Sequence, residues 1–350
     1  MQFQQQLNNM KNSDKQVILP PHEPQYILST LSQKQGWGIK QHNIPKTWTI
    51  TQGEGMKAVV IDTGHPQHDD IGDNAIKGKN FIKDEEIYDK EGHQTHCTGI
   101  ICAKNNTSGM VGVAPKAKCI TAKALGLDGS GSFKSVTKGL LYALDIKADV
   151  VSMSLGSATG TSGLHATIKK LYKANIPVVC AAGNSGKRGV DYPARYSETI
   201  AVAAYDKNGR IANFSGVGEA VDFSAPGVGV YSTYLNNKYC VMSGTSSATP
   251  FITGIILLLL AKHRLQEAET GKNDCKTVNQ IREHLRKYTI DKGYVGKDKH
   301  WGYGVIDAEN LILSKNTEPI IIKPEKFSIF QKIRNILKNI IYFVFYRPLN

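Results

Sequence analysis

A run of small hydroxyl-bearing residues leads directly into a long apolar stretch late in the chain. Residues 242–250 read M-S-G-T-S-S-A-T-P, and residues 251–261 are almost entirely apolar. A turn that opens into a helix places Ser246 or Ser247 at the helix N-terminus, where unpaired N–H groups favour developing negative charge. Such a serine could be an acyl-transfer nucleophile, or it could serve only as the helix N-cap.

Two upstream segments carry a carboxylate and an imidazole. Residues 58–64 read A-V-V-I-D-T-G, so Asp62 stands at the carboxyl end of an apolar strand, the usual place for sites in open α/β sheets. His93 follows where the chain enters another apolar segment. The order Asp, His, Ser is one of the chain orders known for serine hydrolases.

Five motifs in register resemble those of the subtilisin-like serine protease family, over residues 33–313. They are D-T-G at Asp62, G-H-x-T-H at His93, S-L-G at Ser154, A-A-G-N at Asn184 and G-T-S-x-A-x-P at Ser246. The resemblance implies that Ser246 is the nucleophile and His93 the general base and then acid. It also implies that Asp62 orients the imidazole and that Asn184 donates to the oxyanion.

The resemblance further implies two backbone edges that clamp an extended polypeptide substrate. The residues of these edges are Gly129, Ser130 and Gly131 on one side and Ser154, Leu155 and Gly156 on the other. It places Asp191 near the base of the primary specificity pocket, where a carboxylate would favour Lys or Arg before the cut bond. The alternative is that Asp191 caps a turn or faces solvent.

A calcium site is also implied by the resemblance. Its ligands would come from the Gln33 and Asp70 side chains and from the loop that follows the histidine segment, through Lys104, Asn106, Ser108 and Met110. Carboxylate, amide and carbonyl oxygens are the ligands that Ca²⁺ prefers. The aspartate loop is one residue shorter than in most of the family, so Asp69 is the neighbouring alternative to Asp70.

Composition and pattern predict one large α/β domain. The chain has 350 residues, of which 41% are hydrophobic, enough for a sizeable core. Predicted helices at 135–147 and 164–175 alternate with predicted strands at 149–153 and 177–181, which indicates a doubly wound, mostly parallel central sheet with helices on both faces. The apolar run 251–260 is too short to span a bilayer and predicts a buried central helix.

We expect a catalytic domain over residues 32–314, preceded by an N-terminal extension at 1–31. Residues 17–22, V-I-L-P-P-H, resemble the short extension of intracellular subtilisins, whose corresponding segment crosses the active site. A proline there stiffens the strand and removes a backbone donor. We therefore expect self-inhibition, with a merely packed or disordered tail as the alternative.

Residues 315–350 form a basic tail with apolar residues at helical spacing. Such an amphipathic helix could lie on an anionic membrane surface, or it could dock onto the catalytic domain or a homodimer partner. The net charge of +13 adds little to either interpretation, and no motif indicates nucleic-acid binding.

The six cysteines lack metal-type C-x-x-C spacing and mostly fall in apolar segments. This favours buried thiols in a reducing compartment, and the absence of an apolar signal-like segment near Met1 favours a cytoplasmic location. Cys97, four residues after His93, is expected either to pack beside the imidazole and confer sensitivity to mercurials, or to be an inert core thiol.

The sequence thus predicts a serine endopeptidase that works through an acyl-enzyme, with intracellular protein turnover as its role. One alternative is a narrow-specificity processing peptidase that removes leader peptides. Another is a peptide-binding pseudoprotease, because Gln94 replaces the glycine that usually follows the catalytic histidine and could displace it. Under the family interpretation, Ser247 and His96 are not the catalytic pair.

Overall fold

Mostly apolar, buried strands build the middle of the central sheet. The computed structural model describes residues 17–19, 27–28 and 32–314. Its strands are β1 (Val17–Ile18), β2 (Ile27–Leu28), β3 (Lys57–Asp62), β4 (Ala75–Asn80), β5 (Lys118–Lys123), β6 (Ser130–Gly131), β7 (Val150–Met153), β8 (Val178–Ala181), β9 (Ile200–Tyr205), β10 (Val221–Pro226), β11 (Val230–Tyr234), β12 (Lys238–Met242), β13 (Thr289–Ile290) and β14 (Val305–Ile306).

The described residues also form eight α-helices. They are α1 (Trp37–Gln41), α2 (Ile44–Thr47), α3 (His93–Cys102), α4 (Phe133–Asp145), α5 (Ser162–Lys173), α6 (Thr245–Thr270), α7 (Val278–Lys287) and α8 (Ala308–Leu313). The predicted helices at 135–147 and 164–175 are α4 and α5, each beginning two residues earlier than predicted. For α4 the reason is a reciprocal cap between Ser132 and Ser135, which fixes the helix start.

The main sheet has nine strands in the order β13-β14-β10-β9-β8-β7-β3-β5-β4. Every neighbouring pair is parallel except β13 with β14. Chain order reverses beside β3, since β5 and β4 lie on one side of it and β7, β8, β9 and β10 on the other. This confirms the predicted doubly wound, mostly parallel sheet.

Side chains alternate between two hydrophobic cores, one on each face of the sheet. In β3, Ala58 and Val60 belong to one core, whereas Val59 and Ile61 belong to the other. The first core receives α3 and α6, and the second receives α4 and α5. A strand buried on both faces has no polar side, which is why these strands read as continuous apolar runs.

The helix α6 runs through the first core. In the described part of the chain it is the one helix whose length and composition would allow it to cross a membrane, but 89% of its apolar window is buried inside the protein. The prediction of a buried central helix is therefore confirmed. The helix is longer than the apolar run at both ends: its first turn is made by the small residues of the serine motif, and it continues to Thr270 before the C-cap Gly271.

The chain divides into two units, residues 1–315 and 316–350. The predicted amphipathic tail lies outside the described residues, so its membrane or homodimer contact stays a prediction. Of the predicted extension, residues 17–19 and 27–28 are described, and both segments pair with the catalytic domain: β1 with β6, and β2 with β12.

Candidate active site

The predicted catalytic side chains gather at the carboxyl edge of the sheet, where the strand order reverses. Asp62 is the last residue of β3, Ser154 directly follows β7, and Asn184 lies shortly after β8. Because β3, β7 and β8 are adjacent and parallel, their carboxyl ends meet at one edge. This is the place where open α/β sheets form their binding crevices.

Asp62 and His93 form a buried pair. His93 is the first residue of α3, and its Nδ1 lies 2.8 Å from Asp62 Oδ1 and 2.9 Å from Oδ2. Burial lowers the pKa of His93, but the Asp62 carboxylate and the Cys97 sulfur more than offset this and raise that pKa well above its usual value. The pair can therefore hold a positive imidazole after it has accepted a proton.

Asp89, which the sequence reasoning missed, fixes the helix that carries His93. One carboxylate oxygen accepts from Thr63 Oγ1 (2.9 Å) and from the backbone N–H of Gly92 (2.9 Å). The other accepts from the backbone N–H (2.8 Å) and the hydroxyl (2.6 Å) of Thr95. Asp89 thus ties the start of α3 to the turn after Asp62. The sequence shows only an acidic residue four positions before the histidine, and its burial and contacts became visible in the structure.

Gln94 does not displace the histidine. Its side chain is buried, its Oε1 accepts from the Gly64 backbone N–H (2.9 Å), and its Nε2 donates to Thr121 Oγ1 (3.0 Å). Both ends of the amide are satisfied beneath α3, and the contact between His93 and Asp62 is kept. The structural reason for expecting a pseudoprotease is therefore absent.

Ser246 lies in the first turn of α6, as the sequence predicts. Pro250 has no N–H, so it cannot make the helical bond to the Ser246 carbonyl four residues earlier. That carbonyl instead accepts from Ser154 Oγ (2.9 Å) and faces Cys97 Sγ (3.5 Å). The Ser246 hydroxyl donates weakly to the Ser154 carbonyl at 3.4 Å, and Ser246 and His93 line one small cleft.

Asn184 is aimed at a point beside Ser246. Its Oδ1 accepts from both the backbone N–H and the hydroxyl of Thr245, each at 2.9 Å, which turns Nδ2 the other way. A Cβ built on Gly244 would lie 3.0 Å from Asn184 Nδ2 and 3.6 Å from the Ser246 backbone nitrogen. Two donors therefore converge on a space that Gly244 leaves open, which is the geometry of an oxyanion hole.

Cys97, His96 and Ser247 lie close to the catalytic side chains and make contacts of their own. Cys97 Sγ lies 3.9 Å from His93 Nδ1, so the predicted packing beside the imidazole is observed. His96 lines the same small cleft as His93, but its Nε2 lies 3.1 Å from the Val230 carbonyl. Ser247 is buried inside the first turn of α6.

The two predicted substrate edges already hold a strand of the same chain. In β1, Val17 pairs with Gly131 and Ile18 with Ser130, both antiparallel. On the opposite side Ile18 exchanges two backbone hydrogen bonds with Gly156, each of 3.2 Å, which leaves β1 between the two edges.

The side chains of this strand alternate between cleft and solvent. Val17 and Leu19 are 1% and 8% exposed, whereas Ile18 is 54% exposed. The Leu19 backbone N–H donates to the Gly129 carbonyl (2.9 Å), and its side chain lies against the Gly129 Cα. Ser154 and Leu155 of the second edge are buried.

Asp191 is half-buried beside the substrate edges. Its carboxylate lies against the Cα atoms of Gly183 and Gly156, so it sits next to the segment that leads to Asn184. Burial raises the pKa of the Asp191 carboxyl, and the positive charges of Arg195 and Arg188 oppose this rise. Asp191 is therefore not a fully exposed turn residue, and its place in a specificity pocket stays a prediction.

The residues predicted to bind calcium are brought together. Gln33 Nε2 donates to the Lys104 carbonyl (2.9 Å), to Asn106 Oδ1 (3.1 Å) and to the Met110 carbonyl (3.2 Å). The Ser108 backbone N–H donates to the same Asn106 oxygen at 3.0 Å. Three oxygens thus converge on one point, and turning the Gln33 amide over would add a fourth.

Asp70, rather than Asp69, faces this loop. Its carboxylate accepts from Asn106 Nδ2 (2.8 Å) and from the Met110 backbone N–H (2.6 Å). Asp69 is instead paired with Asn237, whose Nδ2 donates to it at 2.9 Å. The oxygen-rich donor set fits a hard cation such as Ca²⁺.

Comparison with known proteins agrees with this geometry. Residues 53–304 match the subtilase family. The chain is 40% identical over 281 residues to a thermostable alkaline protease of Halalkalibacterium halodurans, covering 80% of this chain and 74% of that protein. It is 39% identical over 291 residues to thermitase of Thermoactinomyces vulgaris (82% and 97%), and 36% identical over 280 residues to subtilisin Savinase of Lederbergia lenta (79% and 98%).

The chain belongs to the subtilase family. It is a serine endopeptidase that hydrolyses polypeptides by Asp-His-Ser catalysis. The endopeptidase interpretation of the sequence is thereby confirmed.

Proposed function

We propose that Ser246 attacks the peptide carbonyl while His93 takes its proton. Asp62, held 2.8 Å from His93 Nδ1, fixes the tautomer of the imidazole and stabilises its charged form. His93 then protonates the leaving amine, and water hydrolyses the acyl-enzyme by the same steps in reverse order. The Asp62–His93 pair beside the first turn of α6 is the observation that carries these roles.

Asn184 Nδ2 and the Ser246 backbone N–H receive the oxyanion. Thr245 acts as a positioning residue, because it holds the other end of the Asn184 amide. Ser154 and Pro250 also position the nucleophile, since together they redirect the Ser246 carbonyl away from the helix. These contacts exist before substrate arrives, so little reorganisation is needed as negative charge develops.

We further propose that the enzyme is latent until its N-terminal extension leaves the cleft. The strand β1 uses the Gly129 and Gly156 carbonyls and the Gly156 N–H, which are the backbone groups that a bound substrate strand would need. Val17 and Leu19 fill the underlying apolar surface. A substrate cannot occupy the same edges at the same time.

The test compares hydrolysis of a peptide library by full-length protein, by protein lacking residues 1–31, and by each form carrying Ser246→Ala. We expect the deleted form to cleave at once and the full-length form to start slower by about tenfold or more, since the backbone hydrogen bonds of β1 to both edges must first be released. Both Ser246→Ala forms should be inactive.

Matched point variants test the cleft contact directly. Leu19→Asp places a charge on a buried side chain and should raise the initial rate of the full-length protein. Ile18→Asp changes an exposed side chain and should leave that rate low. Equal initial rates for full-length and deleted protein would disprove the latency. A folded deleted protein that neither cleaves nor reacts with an active-site serine reagent would disprove the catalytic roles.

Asp191 supports a preference for Lys or Arg immediately before the cut bond. Its half-buried carboxylate beside Gly156 and Gly183 can pair with a cationic side chain that enters from the substrate edge. We expect Asp191→Asn to lower kcat/KM for a Lys substrate by roughly 30-fold and to leave that for a Leu substrate nearly unchanged. Equal losses for both substrates would assign Asp191 a structural role.

A calcium ion held by Gln33, Asp70, Lys104, Asn106, Ser108 and Met110 is part of this proposal. It would fasten the loop that follows α3, and therefore the helix that begins with His93. The convergence of oxygens on Gln33 Nε2 is the supporting observation.

We propose intracellular protein turnover as the setting of this activity. All six cysteines are buried and unpaired, which suits a reducing compartment. Mass spectrometry of the protein from cells lysed in a thiol-blocking reagent should find all six thiols alkylated after denaturation. A disulfide in the freshly isolated protein would contradict this setting.

For the basic tail we propose docking onto the catalytic domain or a second copy, with an anionic membrane surface as the alternative. Co-sedimentation of full-length and tail-deleted protein with vesicles that contain an acidic lipid separates these cases. Tail-dependent sedimentation would favour the membrane.

A further inference from the structure

Four potential metal-binding side chains meet near the carboxyl end of α6, the helix whose first turn holds Ser246. His263 lies on α6, Asp274 and Cys275 lie in the loop that follows it, and His284 lies on α7. We call these four residues the His-Cys-Asp cluster. Three separate segments thus contribute to one group of donor atoms.

The distances within this cluster suit a single ion. One donor atom each from His263, Cys275 and His284 lie within 4.8 Å of one another. Asp274 Oδ1 lies 2.9 Å from His263 Nδ1 and 3.6 Å from His284 Nε2, so it sits between the two imidazoles. Donors around tetrahedral zinc are about 3.3–3.8 Å apart, given bond lengths of roughly 2.0–2.3 Å. Small side-chain shifts would complete that geometry.

The buried imidazole of His263 is a second observation that points to a bound ion, independent of the distances. Its side chain is 1% exposed, and neither ring nitrogen makes a hydrogen bond of acceptable geometry with any of the described residues, despite the short approach to Asp274. A buried polar group without a partner is costly, and in native proteins such groups are nearly always satisfied. A cation bound at Nδ1 would satisfy one of the two nitrogens.

The chemistry of the donors selects the metal. Two imidazoles, a thiolate and a carboxylate form a mixed nitrogen, sulfur and oxygen set, which suits Zn²⁺ and not the hard cations Mg²⁺ or Ca²⁺. Asp274 is 57% exposed, whereas His263 and Cys275 are buried, so an ion could enter from the carboxylate side. Four protein ligands would close the coordination sphere, as in structural zinc sites.

We propose that the His-Cys-Asp cluster binds one zinc ion that fastens the end of the core helix α6 to α7. Each of these helices contributes one imidazole, and the loop between them contributes the other two ligands. The ion would therefore hold together three segments that otherwise meet through side-chain packing and through the contacts of Glu267 with Asn273 and Lys276. Its role is structural, since the catalytic cleft is built from other residues.

The test uses full-length protein that carries Ser246→Ala, so that self-cleavage does not interfere. After chelation and reduction of the thiols, Co²⁺ is added as a spectroscopic probe and Zn²⁺ as a competitor. We expect about one equivalent of Co²⁺ to give the visible bands of a tetrahedral site and a thiolate-to-cobalt band in the near ultraviolet, both removed by Zn²⁺. Zinc should also raise the thermal unfolding midpoint.

Variants locate the ion. Cys275→Ser should abolish the thiolate band, and Asp274→Asn, at an exposed position that should fold normally, should weaken Zn²⁺ binding by about tenfold or more. Cys97→Ser is the control, because Asp62, His93 and Cys97 are the other group of such donors in the described residues, and it should leave the spectrum unchanged.

The proposal fails if folded, reduced protein shows no tetrahedral cobalt spectrum. It also fails if Cys275→Ser keeps the thiolate band or if Cys97→Ser removes it. Loss of the band in Cys275→Ser, together with weaker binding in folded Asp274→Asn, supports the site even if the His263 and His284 variants do not fold.

Discussion

Gly244 is a residue whose importance lies in the side chain it lacks. A Cβ at this position would lie 3.0 Å from Asn184 Nδ2, within the space that the two oxyanion donors share. Its backbone is extended, with φ of 166°, so strain is not the reason for glycine here. The absent methyl group keeps the hole open.

We therefore expect Gly244→Ala to lower kcat by about 10²-fold with little change in KM, because the methyl group blocks an interaction made mainly in the transition state. This magnitude is carried over from the loss of an oxyanion donor in the subtilisin family. Steady-state kinetics of the extension-deleted enzyme provide the measurement. Gly36→Ala, where a Cβ meets no atom within 4 Å, is the control and should keep full activity. An unchanged kcat in Gly244→Ala would contradict the proposed hole.

The charge environment of His93 predicts the pH dependence of catalysis. The imidazole acts as a base only when neutral, and Asp62 together with Cys97 raises its pKa well above the usual value. Activity is therefore lost as pH falls through this raised pKa, and kcat/KM should keep rising beyond neutral pH.

Asp62→Asn removes the carboxylate charge, so the midpoint of the kcat/KM profile should move to lower pH while the rate falls by about 10⁴-fold. Profiles of both enzymes, recorded after deletion of residues 1–31, provide the comparison. A wild-type midpoint at or below the ordinary histidine value would show that Asp62 does not raise the His93 pKa in solution.

At the scale of elements, α6 both carries the nucleophile and packs closely against a neighbouring loop. Its first turn holds the nucleophile, and its middle crosses the loop after α3 at close range. A Cβ at Gly254 would lie 2.5 Å from Val113 Cβ, closer than side chains can approach. Glycine is used here to allow packing, although it weakens the helix itself.

Gly254→Ala should therefore lower the free energy of unfolding by about 1–3 kcal/mol, because overpacking outweighs the better helix propensity of alanine. Gly163 on α5 is the matched control, since it is exposed and a Cβ there meets nothing within 4 Å. Gly163→Ala should be neutral or stabilising by about 0.5 kcal/mol. Denaturant unfolding in the Ser246→Ala background measures the free energy of unfolding of both variants. No change for Gly254→Ala would show that Val113 can shift to make room for the methyl group.

At the scale of the whole molecule, segments distant in sequence are fastened around the sheet. The loop after α3 is tied to Gln33 and Asp70, and the extension is paired along both substrate edges. The proposed calcium ligands lie between residues 33 and 110, whereas the proposed zinc ligands lie between residues 263 and 284. Each proposal predicts a separate loss of stability on metal removal.

For calcium, chelated Ser246→Ala protein should regain a thermal midpoint about 5 °C higher when Ca²⁺ is returned at roughly 100 times its Kd. Asp70→Asn should lose most of this gain, because it removes the only charged ligand proposed. Asp69→Asn, whose carboxylate pairs with Asn237 instead, should retain it. If Asp70→Asn and Asp69→Asn behaved alike in a calcium titration followed by calorimetry, Asp70 would not be a calcium ligand.

The sequence by itself determined the class of fold and the chemistry of the site. Apolar runs such as residues 58–61 can be satisfied only by burial on both faces, and their alternation with helices implies a parallel sheet. The serine motif, the histidine and the aspartate each fell at an element end, where side chains can reach a common edge. Five motifs in register therefore predicted Asp62, His93, Asn184 and Ser246 without a structure.

Only the tertiary structure decided which groups support that site. Asp89, Thr245 and Gly244 act through contacts with segments far apart in sequence. Gly244 and Thr245 belong to the serine motif, but the motif does not say which groups they contact. Whether Gln94 displaces the histidine depended on partners at Gly64 and Thr121, which lie on other elements. The meeting of His263 with Cys275 and His284 was hidden for the same reason, because distances across the fold are set by packing and not by spacing along the chain.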